Sequence, residues 1–318
     1  MNNSGRRDFI RQLTVLGLVA STPLMFPVAI EAKDTPFLIS LNPAAIGVSC
    51  NQNELLDYAI KYGFNAMVPI PSDLQTLGEM KALTLLEKMQ SANIRWDAFS
   101  LPVEFRKDDD TFRNGLKMLQ NICPLLQRLG IKSCSTWIMP THDSLTYRQN
   151  FDQHTNRLVA ISRLLAPYEM QLGIEYVGPK TLRVLKKYPF ISSLKEAREL
   201  IAATRAENIG IQLDSFHWYC AGETKQDLLS LTPEEIITCD MNDAVKGRTA
   251  DEQLDYEREL PGKSGVINLK MFLSALQTIG YDGPVRAEPF NRQLNEKNDE
   301  EALSLTAKYM RQALKIMN

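Results

Sequence analysis

Four short apolar runs in the C-terminal half of the chain each end in a carboxylate. The runs are Leu-Gly-Ile, Gly-Ile-Gln-Leu, Ile-Ile-Thr-Cys and Pro-Val-Arg-Ala, and they end at Glu175, Asp214, Asp240 and Glu288. Each run has the length of a strand, and helix-like segments separate the runs, which is typical of repeated βα units on a parallel sheet. In a closed barrel of such units, the C-terminal strand ends meet at one mouth, where chemistry is done. The pattern therefore predicts that these four strand-end carboxylates surround one site.

The rest of the chain supplies the other units of such a barrel. Four earlier strands are predicted at 45–50, 63–68, 94–101 and 130–137. Amphipathic or capped helices are predicted at 54–62, 77–92, 111–129, 150–167, 193–206 and 300–317. Eight βα units without a Pro/Gly/Ser-rich linker make one domain, and a barrel of this kind needs roughly 250 residues. We therefore expect the α/β class, with a single (β/α)8 TIM barrel over residues 40–318.

The composition excludes several classes of protein. A hydrophobic content of 44% in 318 residues can supply a full core. The net charge of -2 and a pI near 6.0 argue against a nucleic-acid or anionic-membrane surface. The five cysteines are odd in number and lack CxxC spacing, so we expect buried thiols and neither a disulfide framework nor a zinc finger.

Residues 1–32 have the pattern of an export signal. The paired Arg6 and Arg7 precede an apolar run over 13–30 and a short charged segment. This order resembles a twin-arginine signal, which directs folded proteins to the periplasm. A membrane anchor or an unusual terminal helix is the alternative, but two prolines interrupt the apolar run and disfavour a spanning helix. We therefore expect an exported, periplasmic protein without a stable membrane span after the signal is removed.

Carboxylates gathered at one mouth repel one another unless a cation or bound protons neutralise them. An all-oxygen set favours a hard or borderline divalent ion such as Mn²⁺ or Mg²⁺, which would polarise a carbonyl and stabilise an enediolate. Glu175 and Glu288, on strands five and eight, could flank a substrate as base and acid. An alternative stays open, in which one or more carboxylates cap a loop or pair with Arg258 or Arg286.

The three histidines differ in their surroundings. His217 lies three residues after Asp214, in the turn that follows a strand end, so both side chains can face the mouth. His142, which follows strand four, is a further candidate for a substrate contact. His154 is predicted to lie on the surface of a helix.

Motifs around these residues carry a family resemblance. They lie at 173–178, 213–217, 257–262, 265–269, 279–283 and 288–291, together with Asp243. They resemble the xylose isomerase-like TIM-barrel sugar isomerases and epimerases, especially the 2-keto-myo-inositol isomerases and, more distantly, the D-tagatose 3-epimerases. Between 45 and 137 the resemblance is mainly one of pattern.

The resemblance implies a metal site and roles for its residues. One divalent ion would be held by the four strand-end carboxylates, with Glu175 and Glu288 also serving as the acid/base pair. His217 and Arg258 would contact the substrate. The family usually has His where this chain has Asp240, and this departure favours Mn²⁺ or Mg²⁺ over Zn²⁺. We expect Mn²⁺, with Mg²⁺, Co²⁺ and Zn²⁺ as alternatives.

The implied function is a metal-dependent isomerase or epimerase of a sugar, keto-sugar or cyclic polyol. One alternative is a lyase or hydratase that acts on 3-keto-glycosides with the same metal and carboxylates. Another is a non-catalytic, exported sugar-binding barrel. A DNA-repair endonuclease of this fold would need more metal histidines and a basic face than this chain has. The expected partner is a small sugar or keto-sugar, and homo-oligomer formation is left open.

Overall fold

The structure is a computed structural model that describes residues 36–315. Residues 1–32, predicted to be the export signal, lie outside the described residues, so the signal and the periplasmic location stay predictions. Among residues 36–315, no helix is both long and apolar enough to cross a membrane.

A parallel sheet curls into a barrel of eight strands. Its strands are β1 (Leu38–Leu41), β2 (Ala66–Met67), β3 (Arg95–Trp96 and Phe99–Ser100), β4 (Ser133–Ile138), β5 (Gln171–Tyr176), β6 (Ile209–Asp214), β7 (Ile236–Met241) and β8 (Pro284–Ala287). The first segment of β3 pairs with β2 and the second with β4, while β1 pairs with both β2 and β8. The sheet thus contains nine strand segments, and the bend in β3 connects its two ends. This arrangement agrees with the predicted α/β barrel.

The position of the first strand corrects the sequence analysis. Residues 45–50 were expected to form it, but β1 is Leu38–Leu41, and Ala44–Ile46 form a 3₁₀ turn. Pro43 at the start of this turn has a φ of -65°, and Gly47 at its end has a φ of +77°. These two residues bend the chain because proline fixes φ and glycine adopts positive φ without strain. The apolar side chains after β1 are therefore buried outside the sheet.

Helices cover the outside of the barrel. They are α1 (Gln52–Tyr62), α2 (Pro71–Leu77), α3 (Glu79–Ser91), α4 (Asp109–Arg128), α5 (Tyr147–Leu165), α6 (Lys180–Arg183), α7 (Leu194–Thr204), α8 (Ser215–Ala221), α9 (Lys225–Leu229), α10 (Leu269–Ile279), α11 (Arg292–Asn295) and α12 (Asp299–Lys315). The helix predicted at 77–92 is α3, whereas α2, separated from it by Gly78 with a φ of +75°, was not predicted. The long helices bury their apolar faces against the barrel, which fixes the strands that carry the site.

His154 is buried and does not lie on the surface as predicted. It is 3% exposed on α5, and its ring lies 5.3 Å from that of Phe105 and 4.8 Å from that of Phe190. Burial lowers the pKa of His154 to about 4. The residue therefore packs as a neutral aromatic group under the loop that follows β5.

Candidate active site

The four strand-end carboxylates meet at the mouth of the barrel, as the sequence predicts. Parallel pairing places Asp214 on β6 in register with Asp240 on β7, and Glu288 follows the last residue of β8. Ligand atoms of Glu175, Asp240 and Glu288 all lie within 4.8 Å of one another. A second group within the same limit joins Glu175 to Asp214 and His217. The strand ends thus build one polar cluster.

Asp214 is held from three sides. Its Oδ1 accepts a hydrogen bond from the backbone N–H of Phe216 at 2.7 Å, at the start of α8. The amide of Asn242 donates to both carboxylate oxygens at 3.1 Å, and Arg258 donates to Oδ2 at 2.8 Å. Asn242 also accepts the backbone N–H of Glu288 at 2.8 Å. Through Asn242, the position of Asp214 at the end of β6 is therefore tied to the ends of β7 and β8.

Arg258 lies in the loop after β7. It pairs with two carboxylates that the sequence predicts at the site and with one that it does not predict. Besides Asp214, it contacts Asp255 at 2.8 Å and Glu288 at 3.3 Å. Its guanidinium lies between the rings of Phe216 and Phe290, 4.8 Å from each centroid, where cation–π attraction adds to the ion pairs. The side chain is 1% exposed. It is therefore a fixed positive charge on the cavity wall.

His217 is oriented as a hydrogen-bond donor towards the cluster. The backbone N–H of Gly178 donates to its Nδ1 at 3.3 Å, and Nη2 of Arg258, which can only donate, lies 3.5 Å from its Nε2. A neutral ring accepts at one nitrogen only, and the shorter contact, at Nδ1, favours the tautomer with its proton on Nε2. Nε2 lies 3.7 Å from Asp255 and 3.8 Å from Glu175. Burial, the largest cause, lowers the pKa of His217 to about 3. At neutral pH the ring therefore offers an N–H to the cavity without adding charge.

Burial and mutual repulsion raise the pKa values of three of these carboxyl groups, Glu175, Asp214 and Glu288. Burial, followed by the charges of Glu288, Asp214 and Asp240, raises the pKa of Glu175 well above its ordinary value. Burial and the charge of Asp240 raise the pKa of Glu288 to about 8. The pKa of Asp214 rises less, to about 6, because Arg258 opposes the effect of burial. Glu288 thus holds a proton at neutral pH when no cation neutralises the cluster, and burial and repulsion act in the same direction on Glu175.

This donor set can hold a divalent metal ion. Its oxygens lie close together, and burial with mutual repulsion raises the pKa values of Glu175 and Glu288 although Arg258 opposes the effect. His217 does not fit as a ligand in this tautomer because the nitrogen that faces the carboxylates carries the proton. The oxygen-rich set therefore suits hard or borderline ions.

A cavity of about 770 Å³ opens above the cluster. Glu175, His217, Arg258 and Glu288 line it, together with apolar and aromatic side chains from strand ends and loops. One of these, Trp137, is 43% exposed. Pockets of this size and mixed lining accommodate small molecules.

The structure does not bring His142 into this cavity. His142 is not among the described residues that line it, and its Nδ1 accepts the backbone N–H groups of Ser144 and Leu145 at 3.1 and 2.8 Å. These bonds fold the turn that leads into α5. The predicted substrate contact of His142 therefore has no support from its position.

Sequence reasoning missed three polar residues of the cluster, Gln212, Asn242 and Asp255. Gln212 precedes Asp214 by two residues on one strand, so strand alternation points both side chains to the same side. That signal could have identified it. Asn242 and Asp255 follow β7 without any periodic pattern.

Asp243, which belongs to the motifs of the resemblance, accepts four backbone N–H groups of residues 264–267 and therefore organises a loop.

We expect Gly178→Ala to disturb the site through backbone contact. A Cβ at this position would lie 2.3 Å from the carbonyl oxygen of His217 and 3.0 Å from the nitrogen of Ala221. The start of α8 would have to move, at a cost of about 1–3 kcal/mol in stability, and His217 would move with it. Thermal unfolding and KM measure the two effects. In the control, Gly222→Ala, a Cβ meets nothing within 4 Å but φ is +73°, so stability should fall while KM stays unchanged. An unchanged KM in Gly178→Ala would contradict the expectation.

Comparison with known proteins agrees with this architecture. The family model of the xylose isomerase-like TIM barrel matches residues 56–313. The chain belongs to this family. An inosose isomerase from Halalkalibacterium halodurans is 26% identical over 261 residues, which cover 80% of this chain and 87% of that protein.

Solved structures resemble the chain over nearly their whole length. A xylose isomerase domain protein from Alicyclobacillus acidocaldarius has a TM-score of 0.78 and 27% identity, and the match covers 88% of this chain and 99% of that one. A crystal structure of the IOLI protein with a bound zinc atom has a TM-score of 0.74 and 21% identity, covering 89% and 99% of the two chains. The predicted family resemblance is confirmed.

Proposed function

We propose that the protein is a metal-dependent isomerase or epimerase of a sugar, a keto-sugar or a cyclic polyol. The observation that carries the proposal is the pair of glutamates on β5 and β8, both lining one cavity and both with raised pKa values. Two carboxyl groups with raised pKa values that face one cavity can exchange a proton with a carbon next to a carbonyl. The inosose isomerase relative supports a carbohydrate or cyclic polyol as substrate.

The divalent ion would be held by oxygens of the strand-end carboxylates. When bound, such an ion supplies positive charge that favours an enediolate. We propose Mn²⁺, because the donors are oxygens; the zinc atom of the IOLI crystal structure keeps Zn²⁺ as an alternative.

The remaining residues would bind and orient the substrate. One glutamate, ionised, takes the proton from the carbon next to the carbonyl and leaves an enediolate. The other glutamate, protonated, gives its proton to the opposite face of the same carbon in an epimerase. In an isomerase it gives the proton to the former carbonyl carbon, once the hydroxyl proton of the enediol has passed to the enediolate oxygen. The Nε2–H of His217 and the guanidinium of Arg258 donate hydrogen bonds to substrate oxygens at the cavity wall. Fixed donors of this kind stabilise developing negative charge without reorganisation. The apolar wall, including Trp137, covers the substrate and excludes water.

Proton NMR in D₂O tests this proposal. The metal-loaded protein would be incubated with keto-sugars, inososes and 3-keto-glycosides. We expect deuterium to enter a carbon next to the carbonyl while the carbon skeleton is kept. Loss of a hydroxyl group or an aglycone would show a lyase or hydratase instead, and a complete lack of exchange across the panel would count against catalysis.

A further inference from the structure

Asp240 is engaged by an arginine of the neighbouring strand. Its Oδ1 lies 2.6 Å from Nε of Arg286, and its Oδ2 lies 3.2 Å from Nη2 of the same side chain. Oδ2 also accepts a hydrogen bond from Gln212 at 2.9 Å. Asp240 is fully buried and Arg286 is 4% exposed. Both oxygens of this carboxylate are therefore engaged by a two-point ion pair of the strong, planar kind.

The barrel itself fixes this pair. Asp240 and Arg286 are register partners on β7 and β8, so their backbones cannot separate without breaking the sheet. On its other side Arg286 contacts Asp97 at 3.6 Å and the carbonyl of Ala98 at 3.5 Å. The guanidinium thus has partners within the barrel on two sides, although Arg286 also lines the cavity.

Asp214 differs from Asp240 in how its arginine partner is held. Its arginine, Arg258, comes from a loop and keeps a second strong partner, because Asp255 lies 2.8 Å from its Nη2. Arg258 can therefore release Asp214 and remain neutralised. Glu175 accepts only the neutral amide of Gln212 at 3.1 Å, and no arginine or lysine of the described residues lies within ion-pair distance of it.

We propose that Arg286 is a resident cation of the carboxylate cluster, which keeps Asp240 as its own counter-ion and so withdraws it from the metal. The divalent ion would then be held by Glu175, Asp214 and Glu288. This inference rests on the proposed function in that it concerns the same metal. It predicts that Arg286 weakens metal binding, both by removing a ligand and by adding a positive charge next to the ion.

Isothermal titration calorimetry with Mn²⁺ measures metal affinity and so tests the role of Arg286 without measuring turnover. Arg286→Gln removes the positive charge and frees Asp240, so we expect Mn²⁺ affinity to rise by at least about tenfold. Arg286→Lys keeps the charge and is the matched control, with affinity within about threefold of the wild type. An unchanged or lower affinity in Arg286→Gln, with the variant folded by circular dichroism, would overturn the proposal.

A double variant keeps the test decisive if Arg286→Gln does not fold. Asp240→Asn with Arg286→Gln replaces the ion pair by two neutral amides and leaves the net charge unchanged. Its Mn²⁺ affinity should stay within about threefold of the wild type, whereas Asp214→Asn should lose at least about tenfold. A loss in the double variant as large as that in Asp214→Asn would show that Asp240 is a ligand.

The same titrations distinguish failure of the proposed function from failure of this inference about Arg286. If the wild type binds no Mn²⁺ or Zn²⁺, the metal dependence of the proposed function is wrong. Binding that appears in Arg286→Gln would then still support the role of Arg286 as the cation that prevents metal binding. Lack of binding in both proteins would overturn this inference as well.

Discussion

Glu175→Gln and Glu288→Gln are each expected to lower kcat by about 10²–10⁴-fold, the usual contribution of a general acid or base. Both side chains line the cavity, and a glutamine of the same shape can neither take nor give the proton. The fold should persist, because both carboxyl groups already have raised pKa values and a neutral amide replaces a protonated acid. Substrate turnover and deuterium exchange measure the effect, and thermal unfolding checks the fold.

Glu223→Gln is the matched control for these two variants. Glu223 is partly buried, and this burial raises its pKa to about 7. However, its carboxylate binds the hydroxyl of Tyr176 and the backbone N–H of Leu194, and it is not among the described residues that line the cavity. It should keep nearly wild-type kcat. If Glu175→Gln and Glu288→Gln behaved like this control, the two glutamates would have no part in proton transfer.

The sequence predicts the cluster well because the placement of its carboxylates follows from local rules. An apolar run of strand length that ends in Asp or Glu places that side chain at a strand end. Parallel connection of eight such runs brings the ends to one mouth. Glu175, Asp214, Asp240 and Glu288 therefore meet in the structure although 113 positions separate the first from the last in the numbering.

The partners of these carboxylates could not be predicted in the same way. Asp240 faces Arg286 because of the register between β7 and β8, and register is a property of the closed sheet that neither strand encodes alone. The sequence analysis left pairing with Arg258 or Arg286 open for any carboxylate. The structure assigns Arg286 to Asp240 and Arg258 mainly to Asp214 and Asp255.

The first strand was misplaced because β1 has only four residues and the apolar run after it is longer.

The metal-free protein is expected to lose stability as the pH rises from about 7 to 8. The pKa of Glu288 is about 8 in the folded state, against an ordinary value of 4.5, so between these values the folded state holds a proton that the unfolded chain releases. The free energy of unfolding therefore falls with pH in this window. His217 acts in the opposite direction, because its folded pKa is about 3 against an ordinary 6.5, but its effect is complete above pH 6.5. Between pH 7 and 8 the carboxyl groups alone decide the sign.

Metal binding should reverse this behaviour, since a divalent ion competes with the protons held by Glu175 and Glu288. Calorimetric titration with Mn²⁺ at pH 7 is made in two buffers of different ionisation enthalpy. The difference in binding heat should correspond to release of about one or two protons per ion. In saturating Mn²⁺, the melting temperature should then no longer fall between pH 7 and 8, whereas with EDTA it should. Glu288→Gln should reduce the pH dependence of the metal-free protein, because an amide cannot titrate, whereas Glu175 and Glu223 keep their contributions. Mn²⁺ binding without proton release would show that the ion is held away from these two glutamates, and the acid/base pair would then have to work without it.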